Sequence, residues 1–259
     1  MRRRRLPALL AALAAVSALA AAAPLTQRSA VARPVPFRAG ETLTFDITWS
    51  PFIAAGTATL TVRDRRPSFD STAYYIVADG RPTPLLSSIY PLYYKADTLL
   101  DAFSLLPQRG SVFAQERSRT SLKATRFNQA ARRATYEVTG ARAVRKDLIL
   151  PAFTQDVLSA LYVIRALPLA LGASIAMPVT DSGEIYRVQL QVVAQQSMTT
   201  PMGQATAWKV VPSIVDERGT PTGQTIAVWI SDDERKLPLK IEADLPVGQF
   251  VIVLTSVKG

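Results

Sequence analysis

From Glu41 the chain alternates apolar and polar side chains: Leu43, Phe45, Ile47 and Trp49 are interleaved with Thr42, Thr44, Asp46 and Thr48. A period of two over a full strand length puts one set on each face of a pleated ribbon, so Glu41 to Trp49 reads as a half-buried strand. Pro51 to Gly56 breaks the pattern and Thr57 to Arg63 restores it, which makes a hairpin the economical connection. Ala73 to Ala78 supplies another β-branched and aromatic run. Several strands follow from Tyr93, with turns at Leu106-Pro107, Asn128 to Ala131 and Thr139-Gly140.

The pattern resumes late in the chain, where Tyr186, Val188, Leu190 and Val192 alternate with Arg187, Gln189 and Gln191. Ala205 to Val211, Thr225 to Ser231, Leu239 to Ala243 and Gln249 to Val257 read as further strands. Pro201-Met202-Gly203, Asp232 to Lys236 and Pro246 to Gly248 read as turns, and Asp181-Ser182-Gly183 as another.

One segment has helical periodicity. Gln155 to Ala166 places Val157, Leu158, Leu161, Tyr162 and Ile164 on a broad apolar face; Thr154 suits an N-cap, Asp156 suits the helix dipole and Pro168 ends the run. Pro84 and Pro91 bracket Leu85 to Tyr90, which has room for a helical turn. The predicted fold is mainly β: a long curled antiparallel sheet, or open barrel, packed on one central helix. A single domain over 37–259 accommodates all of this.

The N-terminus departs from that pattern. Arg2 to Arg5 precede an Ala- and Leu-rich run from Leu9 to Ala20, with small residues at 18–22 where a signal peptidase would cut. This is the form of a signal peptide over 1–22, and the Ala/Pro/Arg stretch 23–36 reads as a flexible leader. A cleaved segment of this kind predicts a periplasmic protein.

Composition then narrows the chemistry. Apolar residues make up 48% of the 259 positions, enough for a sizeable core, and there is neither cysteine nor histidine. A lipid-anchored lipoprotein needs a cysteine at its cleavage site, and disulfides and thiolate nucleophiles need one too. Without histidine, a Ser-His-Asp hydrolase and a His-ligated zinc site are out of reach. No phosphate-cradling or dinucleotide-binding glycine motif occurs either. The sequence therefore predicts no catalytic residue, no metal site and no cofactor.

The formal charge is +10, and it is localised. From Arg109 to Lys146 ten cations face only Glu116 and Glu137. Arg117, Arg119 and Lys123 share strand parity and are expected to form a cationic row, suited to anionic lipid headgroups, lipopolysaccharide or an acidic glycan. Such a row is more often simply the solvated face of a sheet. No stacking aromatics interleave these cations, which argues against nucleic acid. Phe45, Trp49, Trp208 and Trp229 are candidates for lining an apolar cavity, although aromatic residues in strands mostly fill cores. Asp232, Asp233 and Glu234 form the one dense carboxylate group; a solvated turn is the plainer account of it. Asp156 and Arg165 are explained equally well as a cap-region acid and a packing cation.

Three segments carry a resemblance: Phe37-x-x-Gly40-Glu41-x-Leu43-x-Phe45-x-Ile47-x-Trp49 with Ala55-Gly56-x-Ala58-x-Leu60; Asp156-Val157-Leu158-Ser159-Ala160-Leu161-Tyr162-x-x-Arg165; and Thr200-Pro201-x-Gly203 with Val228-Trp229-Ile230-Ser231-Asp232-Asp233 and Leu237-Pro238. Together they resemble the bacterial family called domain of unknown function 3108. The resemblance implies an exported envelope protein of mostly β-structure with no established reaction. The expected function is a non-catalytic periplasmic protein that binds a lipid or glycan, or serves as a scaffold for envelope integrity with a protein partner. The alternative is a carboxylate-dependent enzyme acting on an envelope polysaccharide.

Overall fold

A computed structural model describes residues 33–50, 53–89, 91–140, 142–245 and 248–259. The expected signal segment and leader residues 23–32 lie outside the described residues. The first half runs β1 (Thr42–Trp49), β2 (Ile53–Ser68), β3 (Ser71–Pro82), helix α1 (Pro84–Ile89), β4 (Leu92–Asp101), β5 (Pro107–Glu116), β6 (Arg119–Asn128), β7 (Arg133–Gly140) and β8 (Val144–Ile149). The two-residue β9 (Gln155–Asp156) leads into helix α2 (Val157–Ala166). The second half follows with β10 (Ser174–Asp181), β11 (Glu184–Thr200), β12 (Gly203–Val215), β13 (Thr225–Ser231), β14 (Pro238–Leu245) and β15 (Gly248–Lys258).

All fifteen strands belong to one open sheet of order β8-β7-β6-β5-β4-β3-β2-β1-β15-β14-β13-β12-β11-β10-β9. β1 lies between β2 and β15, so the two halves meander outward from a shared centre. Every neighbour is antiparallel except the short β9–β10 pair. Tight turns allow this: Phe69 and Asp70 between β2 and β3, and Ser182 and Gly183 between β10 and β11, all take positive φ. Positive φ at both central residues gives a two-residue turn the twist that antiparallel strands need.

The predicted strands are present but longer. β2 spans sixteen residues, because a bulge between Val62 and Asp64 lets it continue past the expected stop. The Pro51–Gly56 break is correspondingly shorter, since Ile53 to Gly56 already pairs with β1.

The expectation of one helix is corrected: α1, between Pro84 and Pro91, is a second. The start of α2 is corrected as well. Asp156, not Thr154, is the N-cap, and it forms a capping box with Ser159. The Thr154 hydroxyl donates instead to the Pro151 carbonyl (2.7 Å). Within α2, Ala160, Tyr162, Ile164 and Arg165 are buried, whereas Val157 is exposed and borders a cavity.

Four apolar clusters form the core. Leu43, Phe45, Leu60, Trp229 and Leu254 gather where the two halves meet, with Leu158 and Leu161 of α2 against them. Ala160 and Ile164 pack with the second-half strands, and Tyr162 packs with Phe37, Tyr74 and Ile76 of the first half. The fourth cluster joins Tyr136 and Leu148 of β7 and β8 to Ile185 of β11, so the sheet curls until its two wings touch.

Candidate functional site

The wings meet without a hydrogen-bonded ladder. Lys146 of β8 pairs with Glu184 of β11 (2.7 Å), and the Lys123 ammonium of β6 donates to the Ser182 hydroxyl (3.3 Å). The Tyr136 ring lies so close to Gly183 that a Cβ there would come within 2.6 Å of it. Beside this side-chain seam is a cavity of about 420 Å³. Its apolar surface comes from Ala78, Ala96, Val112, Leu158 and Leu161; Asp97, Lys123, Asp156 and Ser182 supply the polar part.

Asp156 is held there by both of its roles. As N-cap, its Oδ1 accepts from the Ser159 amide (2.7 Å); its Oδ2 accepts from the hydroxyl of fully buried Thr98 (2.7 Å). Gly110 makes the approach possible, since a Cβ on it would sit 2.9 Å from Oδ2. Burial outweighs these hydrogen bonds and pushes the Asp156 pKa up to about 6. Asp97 is engaged by Arg109 and the Ser111 hydroxyl. Burial, and then the nearby Asp181 carboxylate, raise the Tyr136 phenol.

A second, more open hollow of about 580 Å³ adjoins the first on the β6–β7 face. Arg119, Ser121, Lys123 and Arg142 line it, with Glu116 among the lining residues, and Lys123 belongs to both hollows. The basic segment is otherwise largely neutralised across strands. Arg109 pairs with Asp97, Arg126 and Arg145 lie against Glu137, and Lys146 pairs with Glu184.

The predicted site residues divide accordingly. Arg119 and Lys123 do share a face of β6. Arg117 does not: it sits in the β5–β6 turn at φ +55, off the strand repeat, so the row of three becomes a pair joined by Arg142. Phe45 and Trp229 are buried in the core, with Lys209 and Lys240 about 5 Å over the Trp229 ring. Trp49 is exposed at one rim and stacks on Phe250. Trp208 packs beside the second-half cluster, and its indole N–H donates to Asp232 (2.7 Å). None of these four aromatics lines the cavity.

The carboxylate group at 232–234 is a structured turn. Asp233 accepts from the Ser231 hydroxyl and the Arg235 and Lys236 amides. Asp232 accepts from Trp208, Gln195 and Lys236, and its carboxyl is lowered chiefly by the indole hydrogen bond.

Arg165 is 1% exposed and forms a bidentate pair with Glu41 (2.7 and 2.9 Å). It also donates to the Pro36, Arg235 and Lys236 carbonyls and faces the Phe37 and Tyr162 rings. These contacts tie chain entry, α2 and the β13–β14 turn into one lock. Four of its residues (Phe37, Glu41, Tyr162 and Arg165) occur in the segments quoted above for their resemblance, and residues 44–255 match the family described as protein of unknown function (DUF3108).

This chain belongs to the DUF3108 family. No curated protein matches it. Among solved structures it is similar to a β-barrel-like protein of domain of unknown function DUF1849 from Brucella abortus. The TM-score is 0.53 at 12% identity, over 86% of this chain and 98% of that one. That likeness supports a β-barrel-like fold for this chain and nothing further. Lower similarity is found to a candidate exported protein with a YmcC-like fold from Bacteroides fragilis (TM-score 0.34, 13% identity, 88% and 100% covered). A candidate lipoprotein from Parabacteroides distasonis is also similar (TM-score 0.31, 7% identity, 86% and 98% covered).

Proposed function

We propose that this is an exported periplasmic envelope protein that binds a lipid without catalysis. The acyl part would occupy the cavity between the wings, and an anionic headgroup would occupy the adjoining cationic hollow. The observation that carries this reading is Lys123, whose side chain borders both the apolar-floored cavity and the hollow containing Arg119 and Arg142. A partly apolar concavity with few convergent polar groups is the usual form of a small-molecule site. The Arg-rich N-terminal run followed by Leu9 to Ala20 supports export, and the absence of cysteine supports release without a lipid anchor.

The raised pKa of Asp156 favours a second reading, a carboxylate enzyme acting on an envelope polysaccharide. Against it, both Asp156 oxygens are committed, one to the helix cap and one to Thr98. Titration with lysophosphatidylglycerol and lysophosphatidylcholine, followed by calorimetry, tests the lipid reading. The anionic lipid should bind, and Arg119→Ser/Lys123→Ser should weaken it at least tenfold while changing the zwitterionic lipid little. Equal, weak heats for both lipids, unchanged in the variant, would remove the reading.

A further inference from the structure

One rim of the sheet carries apolar side chains that stand exposed among the described residues. The β1–β2 turn brings Trp49 and Ile53 opposite each other, 38% and 44% exposed. Next to it, the Thr83 amide donates to the Ala55 carbonyl (2.9 Å), which seats α1 beside the start of β2. On α1, Leu85 and Ile89 stand one helical turn apart on the same face, 72% and 70% exposed. Pro84 at the helix start and Pro91 just beyond its end fix where this short helix begins and stops.

The same rim is cationic along its first-half side. The Arg117 amide donates to the Pro91 carbonyl (2.8 Å), so the β5–β6 turn abuts the segment after α1. Arg119 starts β6, Arg81 lies near the end of β3 and Arg142 lies between β7 and β8. Two acids lie among them, Asp79 held by Arg81 and Tyr93 and Glu116 by the Tyr94 hydroxyl, so the four arginines outnumber the carboxylates. Exposed apolar side chains beside a row of arginines match an anionic bilayer, whose headgroups attract the cations while its acyl boundary takes the apolar groups.

We infer that this rim docks on an anionic lipid surface, with Leu85 and Ile89 as the inserting residues. The contact goes beyond cavity binding: its inserting residues lie outside the cavity, while Arg119 and Arg142 are shared with the adjoining hollow. It would also bring the open hollow at Arg119 and Arg142, which lies at the same rim, next to the membrane.

The test is flotation of the purified protein with vesicles of phosphatidylcholine alone, or with 30% phosphatidylglycerol as a chosen composition. Wild type should float with the anionic vesicles and not the neutral ones, and 0.5 M salt should weaken the association at least fivefold. Leu85→Ser/Ile89→Ser should reduce binding at least tenfold while leaving lysophosphatidylglycerol titration unchanged. Ala96→Phe, which puts a ring into the cavity, should do the reverse, so loss of either property is read separately. Wild type remaining at the bottom with anionic vesicles would overturn the inference, as would a serine double variant that floats like wild type. Capture of a protein partner by the same rim, without vesicle binding, would overturn it as well.

Discussion

The two places where the halves of this sheet meet are built in opposite ways. At the centre, β1 and β15 join through a full ladder from Thr42 to Trp49, backed by Leu43, Phe45 and Leu254. The Arg165–Glu41 lock also draws α2 onto this side of the molecule. At the far wings, β6–β8 meet the β10–β11 turn through the Lys146–Glu184 ion pair, side-chain hydrogen bonds to Ser182 and one small cluster. Ladder hydrogen bonds and buried apolar area act cooperatively, whereas exposed ion pairs contribute little each. The first seam therefore holds the fold. The second should open at lower cost than the first, and the cavity lies beside it.

The largest effect is expected at the central lock. Arg165→Ala leaves Glu41 buried without its partner and should cost about 3–5 kcal/mol in urea unfolding. Replacing both partners by apolar residues, Arg165→Met with Glu41→Leu, should recover part of that loss, since the desolvation of both charges disappears together.

Asp156, between the two seams, comes next. Its pKa is raised in the folded state, so between about pH 4 and 6 the folded protein binds more protons than the unfolded chain. This contribution favours folding at low pH, falls as pH rises through that window, and is flat above it. A shift of this size corresponds to about 2–3 kcal/mol. Asp156→Asn keeps a good N-cap residue and should abolish this part of the slope, leaving the protein at least as stable as wild type at pH 7.5. Unfolding curves across pH 4 to 7.5 check it.

At the wing seam the effects should be smaller on stability and larger on access. Gly183→Val places side-chain atoms against the Tyr136 ring at a residue with φ +80 and should cost about 1–3 kcal/mol. Hydrogen exchange should rise in β7, β8 and β10 with no change in β1 or β15. Lys146→Ser removes only an exposed pair and should change stability by less than about 1 kcal/mol. If it cost as much as Arg165→Ala, the contrast between the seams would be wrong.

Much of the central seam was legible in the sequence, because β1 has an unbroken period of two and α2 has a periodic apolar face closed by Pro168, although its N-cap lies two residues later than expected. The wing seam was not. Lys123 meets Ser182 and Asp156 meets Thr98 across roughly sixty residues, and no local period encodes such contacts. Glu41 and Arg165 stood in two of the motifs that carried the family resemblance, yet they are 124 residues apart and only the tertiary fold pairs them. Arg117 was misplaced for a local reason: parity counting assumes an unbroken strand, and its left-handed turn ends the count. For the aromatics, strand alternation gives a face but not the curvature: Phe45 and Trp229 fill the core as aromatic strand residues mostly do, Trp49 sits at the rim, and the alternative of cavity lining is not realised.

The central claim is that the cavity beside the weak seam holds an amphiphile. Native mass spectrometry of the protein, purified gently from its own envelope fraction, tests this most directly. Wild type should carry a reproducible added mass matching one anionic lipid, retained by Lys146→Ser and absent from Ala96→Phe. A clean apo mass for wild type, or an added mass that Ala96→Phe still carries, would contradict it and leave a scaffold with an ordinary void.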